Sequence, residues 1–256
     1  MDSELNQTDW SVMILHYLGL DHIGHVSGPR SPLVPEKLKE MDDVIKKIHT
    51  RFQQSETAIV ICGDHGNCYT YYYSSLFSIF VTFISVGMSD TGSHGGSSPA
   101  EIEIPLTFIT KGCLPNNESS LQIDLVPTLS VLLGIPIPSN SLGSLLSGIL
   151  PLFNPVEKLH SAFSNAHTVA KQFTSSAKRS AEENLHFQNY QRAFKLYQDH
   201  LAGVSRENED DISQLFIEAT EGMSGYLIKS LVTFDFYLMV IAITLLVQVF
   251  CLILSN

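Results

Sequence analysis

The chain has 256 residues, 44% of them hydrophobic, which is enough for one sizeable core and a smaller accessory piece. Its formal charge is −11 with no basic stripe, a balance that argues against nucleic acid as a partner. Four cysteines, Cys62, Cys68, Cys113 and Cys251, have no repeating spacing, so no disulfide framework is implied.

Met1 to Asp9 is polar and acidic and carries no secretory signal. Ser11 to Leu18 is an apolar run that reads as a buried strand, and a chain opening on a core strand reads as a piece of a longer protein. Leu20-Asp21-His22-Ile23-Gly24-His25 stands at the end of that strand. Gly28-Pro29-Arg30-Ser31-Pro32 then makes a turn, and Pro35 is placed to open a helix at its first position. Leu38, Met41, Ile45, Ile48 and Phe52 recur at three- and four-residue steps, which gives an amphipathic helix with Lys and Glu on its wet face. Thr57 to Cys62 is a second apolar strand, so residues 11 to 62 read as a βαβ unit. It ends at Gly63-Asp64-His65-Gly66, and both carboxylate-imidazole strings would then emerge where parallel strands stop. A third string, Gly92-Ser93-His94-Gly95-Gly96, sets another imidazole among glycines.

Ile104 to Thr110 reads as a third strand, and Asp124 to Leu129 begins a short helix closed by Gly134 and the Pro136 and Pro138 pair. Beyond Asn154 the composition shifts to helix formers. Tyr190, Phe194, Tyr197 and Leu201 form one stripe; Ile212, Phe216, Ala219, Met223 and Leu227 form another. Such stripes are core packing. Phe236 to Leu254 is a 19-residue run without a formal charge, close to the ~20 apolar residues that span a bilayer core. It is expected to be a transmembrane helix, with a buried core helix as the alternative.

The chemistry lies in the first hundred and fifty residues. A lone Asp-x-x-x-His pair is weak evidence, since such spacings are common in surface loops. Gly-Asp-His-Gly is more specific, because flanking glycines let the backbone turn sharply and aim both side chains at one point. Two Asp with several His make a ligand set that suits Zn²⁺ with a position left open for substrate.

These strings carry a family resemblance. His16 to His25, Gly63 to Gly66 and Met88-Ser89-Asp90-Thr91-Gly92-Ser93-His94-Gly95 resemble the alkaline-phosphatase superfamily, and more narrowly the ethanolamine-phosphate transferases of glycosylphosphatidylinositol (GPI) anchor synthesis. Gly28-Pro29, Ser31-Pro32-Leu33, Lys37-Leu38, Glu40-Met41-Asp42 and Ile135 to Gly143 are most similar to the branch that acts on the second mannose. The resemblance implies an α/β fold: part of an alkaline-phosphatase-like sheet flanked by helices, followed by a helical segment and one transmembrane helix. Residues 1–150 would be the C-terminal part of a metal-dependent transferase domain, 151–235 a helical lumenal segment and 236–254 the membrane helix.

The resemblance also implies a mechanism. Asp21, His25 and His94 would hold one zinc, and Asp64 and His65 would help hold a second beside a nucleophilic Thr. That Thr would take phosphoethanolamine from phosphatidylethanolamine as a covalent intermediate and pass it to a mannose hydroxyl of the GPI precursor lipid. His22 reads as structural and His16 as packed along its strand. The implied location is the endoplasmic reticulum membrane, with the catalytic part lumenal and a membrane-protein partner subunit possible. Sequons at Asn6-Gln7-Thr8 and Asn117-Glu118-Ser119 are compatible with a glycoprotein there.

Two departures stand out. No Thr in the chain matches the family's nucleophile, so the chain alone is expected to transfer nothing. Residues 67–87, uncharged and rich in aromatic and β-branched side chains, separate two strings that are contiguous in the family. That insert reads either as an extra hairpin at the rim of the site or as translated non-coding sequence. Two other functions compete with the transferase: a zinc phosphatase or sulfatase of the same superfamily, and a truncated product without activity.

Overall fold

The structure is a computed structural model, and it describes residues 2–7, 9–52, 57–63, 88–96, 98–104, 106–109, 119–177, 181–204, 207–231 and 236–254. In chain order the elements are α1 (Asp2–Leu5), α2 (Gly19–Ser27), α3 (Leu33–Phe52), β1 (Ile59–Cys62), α4 (Pro99–Ile102), β2 (Leu106–Ile109), α5 (Leu125–Leu132), α6 (Pro155–Ala177), α7 (Leu185–Leu201), α8 (Glu209–Leu231) and α9 (Phe236–Leu254). The chain divides into two units, residues 1–120 with 147–152, and residues 121–146 with 153–256.

In the first unit the amphipathic stripe of α3 is half-buried while Lys39, Lys46, Lys47 and Arg51 stay wet. The helix starts two residues before the expected Pro35, which sits in its first turn, where a missing N–H costs nothing because that N–H has no intrahelical partner. Trp10 caps the far end, its ring 5.7 Å from Phe52 in an edge contact and its indole N–H donating to the Glu4 carbonyl at 3.0 Å. β1 pairs with β2 antiparallel, Ile59 opposite Ile109 and Cys62 opposite Leu106. Cys62 and Cys251 are exposed and form no disulfide, whereas Cys68 and Cys113 lie outside the described residues.

Two expectations are corrected here. Ser11 to Leu18 is not a strand: the segment is irregular and, apart from half-buried Met13, exposed, His16 included. The expected parallel βαβ unit is accordingly absent from the described residues, which form a mostly helical structure with one two-stranded antiparallel sheet. The physical reason is hydrogen bonding: an extended segment becomes a strand only where a neighbour accepts and donates along its length, and among the described residues Ser11 to Leu18 pairs with neither β1 nor β2.

The second unit is organised by α8, on which α6 and α7 both pack. Ile212, Phe216, Ala219 and Met223 are fully buried and Leu227 nearly so, and this stripe meets Phe163, Tyr190 and Tyr197 from the other two helices. In the expected stripe of α7, Tyr190 and Tyr197 are buried but Leu201, at the helix end, is exposed. Helix starts are capped. Asn154 accepts from the Glu157 N–H at 2.9 Å while the Glu157 carboxylate accepts from the Asn154 N–H at 3.1 Å, and Asn184 accepts from the His186 and Phe187 N–H groups. Two hydroxyls buried in the bundle are satisfied within their own helix, Ser213 on Glu209 and Thr220 on Phe216. Burial pushes the His167 imidazole down and the Tyr190 phenol up from their ordinary values, and the two share a hydrogen bond of 2.9 Å.

Residues 121–146 are held together by polar groups and tied to this bundle by a side chain of α6. Asp124 accepts from the Leu121 N–H at 2.8 Å and from the Ser144 N–H at 2.7 Å, Thr128 accepts from the Leu146 N–H, and Asn165 of α6 donates to the Gly143 carbonyl at 3.0 Å. α9 has the bounds expected from sequence, and every described side chain along it is exposed. Among the described residues no helix is long and apolar enough to cross a membrane; the side chains of Phe236, Leu252 and Leu254 in α9 lie outside that description.

Phe216→Ala removes the ring that α6 and α7 share and is expected to cost about 3–5 kcal/mol, read from chemical denaturation of the detergent-solubilised chain. Asp124 supplies a pH test. Burial raises its pKa despite two N–H donors, so its contribution to stability is largest below the unfolded carboxylate pKa and declines as pH rises through the folded value. Asp124→Asn keeps one hydrogen bond, loses another worth about 1 kcal/mol, and cannot titrate. The stability gap between the parent and this variant should therefore narrow from pH 3.5 to pH 7; a constant gap means that Asp124 has no raised pKa.

Candidate metal centre

Helical spacing brings the first two residues of the site together. Asp21 and His25 lie four apart on α2, hence on one face, with His25 Nε2 3.4 Å from Asp21 Oδ1. The sequence reading placed them beyond a strand; they stand instead within a helix, Asp21 in the first turn where a carboxylate suits the helix dipole. The helix ends at Gly28, whose φ is 83° and whose N–H returns to the Gly24 carbonyl.

The third residue comes from a loop. His94 brings Nε2 to 3.7 Å from the same Asp21 oxygen, and its ring lies 5.0 Å from that of His25, tilted by 52°. The three ligand atoms all fall within 4.8 Å of one another. Ligand atoms bound at ~2.0–2.1 Å around a tetrahedral ion stand roughly 3.3–3.5 Å apart, so the 3.4 Å separation from His25 matches what one zinc ion would impose and the 3.7 Å separation from His94 is slightly longer. Two imidazole nitrogens and one carboxylate oxygen fit that ion chemically, and the side chains keep 32 to 43% of their surface exposed, which leaves room for a fourth ligand.

The loop that carries His94 is built to dock on α2. His25 Nδ1 lies 2.8 Å from the Gly92 carbonyl. A carbonyl only accepts, so Nδ1 holds the ring proton and Nε2 keeps its lone pair toward Asp21 and His94. Gly92 is buried at φ 74°, and a Cβ there would stand 2.7 Å from the Gly24 carbonyl oxygen. Both the conformation and the close approach require glycine. Ser89 closes the turn, its N–H donating to the Ser93 carbonyl at 2.8 Å and its Oγ accepting from the Ser93 N–H at 3.3 Å. Arg30 reaches Asp90 at 2.6 Å, but both side chains are more than 80% exposed, so the pair adds little.

Of the residues singled out in the sequence, Asp21, His25 and His94 converge. Asp64, His65 and the 67–87 insert lie outside the described residues. His22 points to solvent and does not join the cluster. Sequence reasoning passed over Glu101, whose carboxylate accepts from the Gly96 N–H at 3.1 Å. The signal for it was present in Ser98-Pro99-Ala100-Glu101, the order of a helix N-cap.

Gly92→Ala is expected to weaken zinc binding about tenfold or more, because the loop must lift off α2 and the His25 hydrogen bond goes with it. The helical far-UV signal should persist. Unchanged zinc affinity in this variant would show that the docking does not hold the site.

The family model described as type I phosphodiesterase / nucleotide pyrophosphatase matches residues 1–70. Over its whole length the chain is 31% identical to the human GPI ethanolamine phosphate transferase 2, catalytic subunit, and covers 26% of that protein. It is 35% identical over 71% of its length to the GPI ethanolamine phosphate transferase 2 of Yarrowia lipolytica, and 39% identical over 60% of its length to that of Candida albicans, covering 21% and 16% of those proteins. No solved structure matches. The chain thus spans about a quarter or less of the length of these curated relatives. It belongs to the GPI ethanolamine phosphate transferase 2 family, within the phosphodiesterase and pyrophosphatase superfamily, and corresponds to one segment of its members.

Proposed function

We propose that the chain is the metal-binding part of a phosphoethanolamine transferase that moves phosphoethanolamine from phosphatidylethanolamine to a mannose, the second, of the GPI precursor lipid. The observation that carries this reading is the convergence of Asp21, His25 and His94 within a segment that aligns with relatives of that name. Zinc, when bound, supplies a Lewis acid that stabilises charge on a phosphoryl oxygen. Asp21 Oδ1, His25 Nε2 and His94 Nε2 would hold it, while the Gly92 carbonyl keeps the His25 proton on Nδ1. Asp64 and His65 would serve a second zinc.

Residues 1–150 belong on this reading to the transferase domain, 151–235 to a helical lumenal segment, and 236–254 to a membrane helix in the endoplasmic reticulum. The support for the last is physical. α9 carries no charge and little polar surface beyond Tyr237, Thr244 and Gln248, and so apolar a helix belongs in a protein core or a bilayer, not in water. The human relative's name, a catalytic subunit, supports a partner subunit.

The test is a chimera in which residues 9–143, without 67–87, replace the matching stretch of the human relative in cells that lack it. Transfer of labelled phosphoethanolamine to a mannosylated GPI acceptor is expected to continue. With Asp21→Ala or His94→Ala it should fall to background, zinc content dropping in parallel while membrane anchoring stays intact. Undiminished activity and zinc in either variant would sink the assignment.

A further inference from the structure

The backbone just after His94 converges on one carboxylate. Glu101, the third residue of α4, accepts from the Gly96 N–H at 3.1 Å and from the Ser98 hydroxyl. Ser98 precedes the helix in an extended conformation, φ −69° and ψ 149°, and Pro99 opens it. In an ordinary N-cap the third-position carboxylate reaches back to the capping residue. Here it reaches further, to within two residues of His94. A Cβ at Gly96 would stand 2.7 Å from that carboxylate, so the backbone and the carboxylate are in close contact. The Ser98 hydroxyl, and after it the backbone N–H groups of Gly96 and Ser98 and the nearby His94, hold Glu101 below the usual carboxylate range.

On the other side of His94 the Ser89 turn fixes the N–H and carbonyl of Ser93. The imidazole is therefore carried by a short stretch of backbone tied at both ends, by Ser89 upstream and Glu101 downstream. We infer that Glu101 is a positioning residue for the metal centre: by binding the Gly96 N–H and the Ser98 hydroxyl it fixes the backbone that presents His94 to Asp21 and His25. This rests on the reading that those three residues hold the metal.

Zinc affinity of the detergent-solubilised chain, measured by chelator competition, tests the inference, with the visible spectrum of the Co²⁺-loaded chain reporting ligand geometry. Glu101→Ala is expected to weaken zinc binding about tenfold and alter the Co²⁺ spectrum, with the denaturation midpoint of the helical bundle unchanged. Glu101→Gln accepts from Gly96 and donates to Ser98, so it should stay within about threefold of the parent. Ser98→Ala, which removes a single hydroxyl, guards against misfolding of the alanine variant and should lose about threefold. Parental affinity in both Glu101→Ala and Ser98→Ala overturns the inference, as does Glu101→Gln binding as weakly as Glu101→Ala, which would trace the effect to charge. Asp21→Ala separates the two layers. Zinc binding insensitive to Asp21→Ala defeats the metal reading itself, whereas sensitivity to Asp21→Ala with none to Glu101→Ala defeats only the role of Glu101.

Discussion

The contact between the backbone of Gly92 and that of Gly24 is the constraint from which the site follows. One surface of α2 carries both Asp21 and His25, but two ligands four residues apart make only half a centre. The third must arrive from elsewhere in the chain, and it can come close only where neither backbone carries a side chain in the way. Gly92 meets this condition at φ 74°, and its carbonyl then accepts the His25 proton. One docking event thus brings His94 near and orients His25. A shift of either backbone by an ångström would lose both effects together.

The loop is short and polar, and its own side chains hold it. Ser89 and Glu101 bind backbone groups on either side of His94, and these ties act beside the burial of Met88 and Gly92. This suits a site that keeps a third or more of its ligand surface exposed, where apolar packing could contribute little and would close the fourth position. The bundle of α6, α7 and α8 works the opposite way. Its core is a cluster of rings around Phe216, buried Ser213 and Thr220 are satisfied within their own helix, and the pairs Lys158 with Asp210 and His200 with Glu209, none of them fully buried, add little. Polar groups also tie down residues 121–146, where Asp124, Thr128 and, from α6, Asn165 bind backbone that no helix or sheet satisfies.

The amino-acid sequence by itself determined what depends on local periodicity and on residue chemistry. The stripe on α3, the buried row from Ile212 to Leu227, the bounds of α9 and the ligand character of Asp21, His25 and His94 were all legible, because helical spacing is a property of neighbours three or four apart and ligand type is a property of single side chains. Tertiary structure decided the rest. Ser11 to Leu18 has the apolar composition of a strand yet forms none, since a strand exists only with a partner, and among the described residues the strand pairing is between β1 and β2. For the same reason Asp21 and His25 could be read as sharing a site but not as sharing a helix. Whether His94 reaches them was beyond any local pattern: the distance is set by a glycine that lets two backbones touch and by Glu101, whose carboxylate turns an ordinary helix cap into a tie on the loop.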